Sequence, residues 1–338
     1  MDLQIMPHDL KLKYPFAIAR HTYYSQPNVI IRLSDGKFEG YGEASMNPYY
    51  GITIESLINA FAKMRAGLQS YVFTTPDQLW DDYADMLTEN PFALAALNNA
   101  AWDLYGKMHE CPARHLFPLS GNNNPMTSYT LGIASHEMLV KKIMDFPWPV
   151  YKIKLGTMDD IGLVREIRKH TDAVIRVDAN CAWTTDVTIE NAIALKYLGV
   201  EYIEQPLPAK DSGQKRCFEE SCLPLFADES CLTESDVAVC SAHFHGINIK
   251  LLKCGGITPA LRMIRQAREL GLKIMIGCMT ETSVGIAAAA QLLTLVDYAD
   301  LDGPLLLAED LADGLRYDQG RLIVGNGNGL GVNYHGKW

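Results

Sequence analysis

The chain has 338 residues, 48% hydrophobic and 21% charged, so it can bury a large core and lacks the make-up of a disordered chain. That length exceeds one average domain, although a single α/β barrel accounts for most of it. A formal net charge of −10 argues against a general nucleic-acid or anionic-membrane partner, because counterion release needs clustered Lys and Arg.

The opening residues, MDLQIMPHDLKLKYPF, lack the apolar stretch of a signal peptide. The longest nearly apolar run, 284–296, is too short to span a bilayer. Eight scattered cysteines without a C-x-x-C pair fit reduced thiols better than a disulfide framework. A cytoplasmic protein is the expectation.

In chain order, NVIIRL at 28–33 and FEGYGEA at 38–44 flank an Asp35-Gly36 turn and predict a hairpin. Helices follow over about 53–69, over 76–87, and from Pro91 with Asn90 as its cap. Strands followed by a run of helices predict an α+β unit. From about residue 126 the pattern changes. Short β-rich apolar segments end at Leu131, Lys154, Asp178, Glu204, Asp228, Lys250, Gly277 and Asp300, at intervals of 22 to 27 residues, with helix-like segments between them. Eight regular units favour a closed parallel barrel over a doubly wound sheet. The glycine run at 325–331 matches no phosphate-binding phrase and reads as a turn-rich tail.

In a barrel the reacting groups stand at the C-terminal ends of the strands. Here those ends carry Lys152 and Lys154, Asp178 and Asn180, Glu204, Asp228 and Glu229, Lys250, and Asp300 and Asp302. Singly, each has an ordinary explanation: solvated lysines on an edge strand, or an aspartate capping the next helix. Together they do not, because buried carboxylates are uncommon unless paired or bound to a cation. Three carboxylates without His or Cys beside them suit a hard, oxygen-seeking ion, Mg²⁺ first. Zinc fits poorly, and His243 and His245 precede the strand end. Lys152 and Lys154 alternate onto one strand face, and Lys250 comes from a distant strand. Such lysines can remove a proton beside a carboxylate, where the enediolate charge needs a cation. A free lysine titrates near ~10.4, so a neighbouring ammonium and the metal are expected to lower the base.

The phrases YGEA, KIKLG, VDAN, EQPLP, ADES, NIKLLKCGGI and GNGLGV together resemble the muconate-lactonising subgroup of the enolase superfamily, over nearly the whole chain. The resemblance implies a modified TIM barrel, (β/α)7β, over residues 116–304. An α+β capping domain would be built from 1–115 and completed by 305–338. It implies one Mg²⁺ held by Asp178, Glu204 and Asp228, with Asn180 and Glu229 beside these ligands. Lys154 and Lys250 would be the acid/base pair, with Lys152 assisting Lys154 and holding the substrate carboxylate. Asp300 and Asp302 resemble the aspartates that receive a dipeptide's α-ammonium in dipeptide epimerases. The FAIAR segment resembles a lid loop in which Arg20 pairs with an acidic side chain, His21 and Tyr23 being further candidates. NPYYG, with Tyr50, resembles a second specificity loop, and Met279, Thr280 and Glu281 would line the barrel mouth.

The function so implied is Mg²⁺-dependent epimerisation of an Ala-Glu-like dipeptide, of the kind found in cell-wall peptides, at the α-carbon of its second residue. N-Succinylamino acid racemisation is the alternative within the subgroup, and a non-catalytic ligand-binding barrel the alternative outside it. The expected partner is a small-molecule dipeptide, with neither nucleic acid nor membrane, and homo-oligomer formation is left open.

Overall fold

The computed structural model describes residues 1–18 and 21–336, and of His21 the backbone only. Three antiparallel strands, β1 (Asp2–Ile18), β2 (His21–Ser34) and β3 (Glu39–Ser45), open the chain in the order β1-β2-β3. The β2–β3 turn forms where Asp35 Oδ1 accepts from the backbone N–H of Lys37 (2.8 Å) and Phe38 (2.7 Å), with Gly36 at φ +94°. The sequence reading places no strand before residue 28 and reads 16–20 as a loop. Instead, β1 and β2 form a long ribbon that continues past a register shift between Lys11 and Phe16, to Phe16↔Tyr23 and Ile18↔His21. Its buried residues Leu3, Met6 and Leu10 are three and four positions apart and do not alternate as a half-buried strand does. Pairing with β2 makes it a strand, a contact that sequence periodicity does not register.

Helices α1 (Ile54–Gln69), α2 (Pro76–Ala84) and α3 (Pro91–Met108) follow. Thr53 and Ser56 form a reciprocal capping box, with both hydrogen bonds at 3.0 Å. Asn90 Oδ1 accepts from Ala93 N–H at 3.0 Å, and Pro91 opens α3. α3 is buried almost throughout because it lies between β3 and the barrel helices. Gly40 and Gly42 of β3 allow that closeness: a Cβ at either would lie 2.0 Å from a carbonyl oxygen of α3.

Eight parallel strands then run in chain order: β4 (Tyr129–Leu131), β5 (Val150–Lys154), β6 (Val174–Asp178), β7 (Val200–Glu204), β8 (Leu225–Ala227), β9 (Gly246–Lys250), β10 (Lys273–Gly277) and β11 (Tyr298–Asp300). The barrel closes where Ser128 N–H donates to Ala299 C=O (3.2 Å) and Leu301 N–H to Thr127 Oγ1 (2.7 Å). Between strands lie α4 (His136–Asp145), α5 (Asp160–Arg168), α6 (Thr185–Tyr197), α7 (Gln214–Glu220), α8 (Glu234–Cys240), the short α9 (Leu251–Cys254), α10 (Ile257–Glu269) and α11 (Ser283–Ala290). Tyr202, Phe226, Met275 and Tyr298 pack together inside the barrel, and the Arg176 guanidinium stacks over Tyr202 and Tyr298. One pleat further along β6, β7 and β11 stand Asp178, Glu204 and Asp300, so the aromatic layer is a floor beneath the charged groups.

After the short α12 (Gly303–Leu306) the tail returns to the first domain, with β12 (Ala312–Asp313) paired to β15 (Asn333–Tyr334) and a β13 (Leu315–Asp318)–β14 (Arg321–Val324) hairpin between them. Tyr334 packs on Tyr41 at 5.4 Å between ring centroids. Among the described residues no helix is long and apolar enough to cross a membrane.

Candidate active site

The C-terminal strand ends open into a cleft roofed by residues of the first domain. One carboxylate oxygen from each of Asp178, Glu204 and Asp228 lies within 4.8 Å of the other two, and all three residues are buried. They end or directly follow β6, β7 and β8, three adjacent strands.

Lysines surround this triad. Lys154 Nζ donates to Asp178 Oδ2 at 2.7 Å, and Lys250 Nζ to Asp228 Oδ2 at 2.7 Å. Lys154 ends β5 and Lys250 ends β9, four strands apart in a ring of eight, so they stand on opposite walls. Lys152 is 1% exposed and donates to Asp300 Oδ2 at 2.7 Å. It also lies 3.2 Å from Asp178 Oδ2 and 2.8 Å from Glu204 Oε2, the last a charge contact without hydrogen-bond geometry.

Charge and burial pull against each other here. Burial alone would lower Lys152, but Asp300, Glu204 and Asp178 hold it well above the usual lysine value. Lys250 follows the same rule: burial opposes, and the Asp228 carboxylate wins. For Lys250 the expected lowering therefore does not arise from the Lys152 ammonium, because the carboxylates outweigh it. A divalent cation among the same carboxylates competes with the ammoniums for that negative charge. Glu204 is pushed up to about 7, by burial first, with Lys152 opposing and the charges of Asp178 and Asp228 adding. Asp228 is driven well below the carboxylate range, because Lys250 and Lys253 overcome its burial.

The donor set fits Mg²⁺. Three hard carboxylate oxygens converge, and the buried Glu204 Oε2 and Asn180 Oδ1 have no hydrogen-bond partner among the described residues. His243 and His245 are engaged elsewhere, with the carbonyl of Val239 and the N–H of Leu225.

The other residues singled out in the sequence divide. Asn180 lines the cleft, is held at φ +45°, and donates its backbone N–H to Asp178 Oδ1 at 2.9 Å. Glu229, Tyr50, Met279, Thr280, Asp300 and Asp302 also line it, as does Tyr23. Asp300 has both oxygens occupied, Oδ1 by the Ser128 hydroxyl (2.5 Å) and Oδ2 by Lys152. Asp302 Oδ2 accepts from Thr130 N–H at 2.6 Å. Glu281 departs from the expectation. It does not line the cleft, because its carboxylate turns back under its own loop to accept from Met279 N–H at 2.9 Å, beside Glu43. Arg20 and the His21 side chain lie outside the described residues.

Two neighbours of the triad escaped the sequence reading. Asn248 Nδ2 donates to Glu204 Oε1 at 2.9 Å, and Lys253 Nζ donates to Asp228 Oδ1 at 2.6 Å. Asn248 stands two residues before Lys250 on one strand face, a spacing that marks it. Lys253 lies on the helical turn of α9, where no strand-end argument reaches it.

A closed parallel barrel with a carboxylate triad between opposed lysines, roofed by an α+β cap, defines a class of metal-dependent proton-transfer enzyme. Residues 1–117 match the mandelate racemase/muconate lactonizing enzyme N-terminal domain, and residues 137–338 the enolase C-terminal domain-like family. The chain belongs to the enolase superfamily. It is 48% identical over 98% of its length to an L-Ala-D/L-amino acid epimerase of Flavobacterium johnsoniae, covering 99% of that protein. Among solved structures it resembles the substrate-liganded L-Ala-D/L-Glu epimerase of Bacillus subtilis, with a TM-score of 0.94 and 28% identity over 100% of this chain and 99% of that one. It also resembles the Enterococcus faecalis dipeptide epimerase complexed with Mg and L-Leu-L-Tyr, with a TM-score of 0.91 and 29% identity over 98% and 99% of the two chains.

Proposed function

We propose that this chain is a Mg²⁺-dependent dipeptide epimerase that inverts the α-carbon of the second residue of an alanyl dipeptide, Ala-Glu included. The observation that carries it is the placement of Lys154 and Lys250 on opposite walls, with Asp178, Glu204 and Asp228 between them. One lysine takes the α-proton from one face, and the other returns a proton to the opposite face. Asp178, Glu204 and Asp228 would hold the Mg²⁺, which when bound stabilises the negative charge that builds on the substrate carboxylate as the proton leaves. Lys152 stands between these carboxylates and Asp300, where its ammonium faces the same developing charge. Asp302, buried in the cleft lining beside Thr130, receives the free α-ammonium of the dipeptide, and N-acylamino acids offer no such group. The relatives named L-Ala-D/L-amino acid and L-Ala-D/L-Glu epimerase support this substrate class.

The test is incubation of L-Ala-L-Glu and other L-Ala dipeptides in D₂O with Mg²⁺, read by NMR. Deuterium should enter the α-carbon of the second residue, a chelator should stop it, and N-succinylamino acids should stay unlabelled. Lys154→Ala and Lys250→Ala should each lower epimerisation by about 10²–10⁴-fold. Absence of exchange from every dipeptide would overturn the reading.

A further inference from the structure

The loop after β10 is tied, residue by residue, to the capping domain. Asn47 Nδ2 points at Met279 Sδ (3.4 Å), and Asn28 Nδ2 donates to Thr280 C=O (3.1 Å). Glu43, fully buried, accepts from Thr282 through the backbone N–H (3.0 Å to Oε1, 3.1 Å to Oε2) and the hydroxyl (2.6 Å to Oε2). Glu43 Oε2 also takes the N–H of Gly285 at 2.9 Å, and Oε1 takes Asn28 Nδ2 at 2.6 Å. A carboxylate from β3 of the cap thus sits at the N-terminus of the barrel helix α11, where free N–H groups and the helix dipole favour negative charge. Glu281, between these anchors, folds the loop onto itself through Met279 N–H.

None of these groups touches the carboxylate triad, and Glu43 and Asn28 do not line the cleft, yet Met279 and Thr280 do. Removing this buried carboxylate would leave each of those donors unsatisfied, so its position matters to the loop it holds.

We propose that Glu43, with Asn28, is a positioning residue for substrate selection: it clamps loop 278–282 so that Met279 and Thr280 present a fixed wall to the substrate side chain. This rests on the dipeptide reading above. Loosening the clamp alters which dipeptides are accepted before it alters proton transfer, because the lysines and the triad are held by other strands. The clamp also makes the cap's seating on the barrel and the shape of the cleft one property.

The variants are Glu43→Gln, Asn28→Ala and Thr282→Val. In Glu43→Gln an amide N–H meets the donors of Thr282 or Gly285. Steady-state epimerisation of L-Ala-L-Glu, L-Ala-L-Leu and L-Ala-L-Phe is measured with saturating Mg²⁺, beside circular-dichroism melts. For Glu43→Gln the expected result is a KM raised about tenfold, with kcat within about threefold of the parent. The kcat/KM ratios among the three dipeptides should shift by at least about fivefold, with Asn28→Ala and Thr282→Val moving the same way to a smaller extent. Folded variants with lower melting temperatures but unchanged KM and unchanged ratios would overturn the clamp and leave the epimerase reading standing. A fall in kcat at constant KM would overturn it too. Should Glu43→Gln not fold, Asn28→Ala decides by the same criteria. No turnover of any dipeptide by the parent enzyme would overturn both readings.

Discussion

Asp300 and Asp302 stand two residues apart at the end of β11 and differ in what they can still accept. Burial raises Asp300, but Lys152 and the Ser128 hydroxyl hold it at about 2, so it stays charged and committed to Lys152. Burial and the nearby Asp300 charge push Asp302 up to about 7. An acid whose folded pKa is raised is neutral below that value, and an ammonium needs the anion. KM for an alanyl dipeptide should therefore rise about tenfold for each pH unit below 7 and level off above it. Asp302→Asn should flatten the profile at a high KM, whereas Asp300→Asn should disturb Lys152 and lower kcat. A pH-independent KM between 5 and 8 would separate Asp302 from ammonium binding. Both aspartates were legible in YADLDGP. Their unequal roles were not, because Ser128, Thr130 and Lys152 come from other segments.

At the scale of elements, a close backbone fit joins β3 to α3. Gly42 lies where a Cβ would meet the Ala96 carbonyl at 2.0 Å, and Gly40 where it would meet Ala100 C=O at the same distance. Backbone cannot yield as a side-chain tip does, so Gly42→Ala must lift the helix from the sheet. A loss of about 1–3 kcal/mol is expected, read as a lower urea midpoint at unchanged m-value. A midpoint equal to the parent's would show that the sheet and helix can separate without cost. The hairpin turn and the Asn90–Pro91 start follow from local chemistry and were open to inspection in the letters. The β1 ribbon was hidden for the opposite reason: its partner is a later strand, and its buried positions do not alternate.

For the whole molecule, the carboxylate triad draws on three strands, so a cation bound there favours the closed barrel over the unfolded chain. Mg²⁺ at a hundred times its dissociation constant should add about 2.7 kcal/mol, visible as a raised melting temperature. Glu204→Gln and Asp228→Asn should abolish that increment, and an unchanged increment in both would move the metal elsewhere. The eight-fold spacing, the lysines and the strand-end carboxylates were legible in residue order alone, because barrel strands place every second residue inward and their ends together, whereas the family was legible only through the resemblance of phrases such as KIKLG and EQPLP. Tertiary structure decided what spacing cannot encode. Glu281 turns away from the cleft, Asn248 and Lys253 reach the triad, and Glu43 crosses from the cap to the barrel. The Asn248, Lys253 and Glu43 contacts join residues from 25 to 242 positions apart, through close packing that fixes side-chain direction only once the cap sits on the barrel.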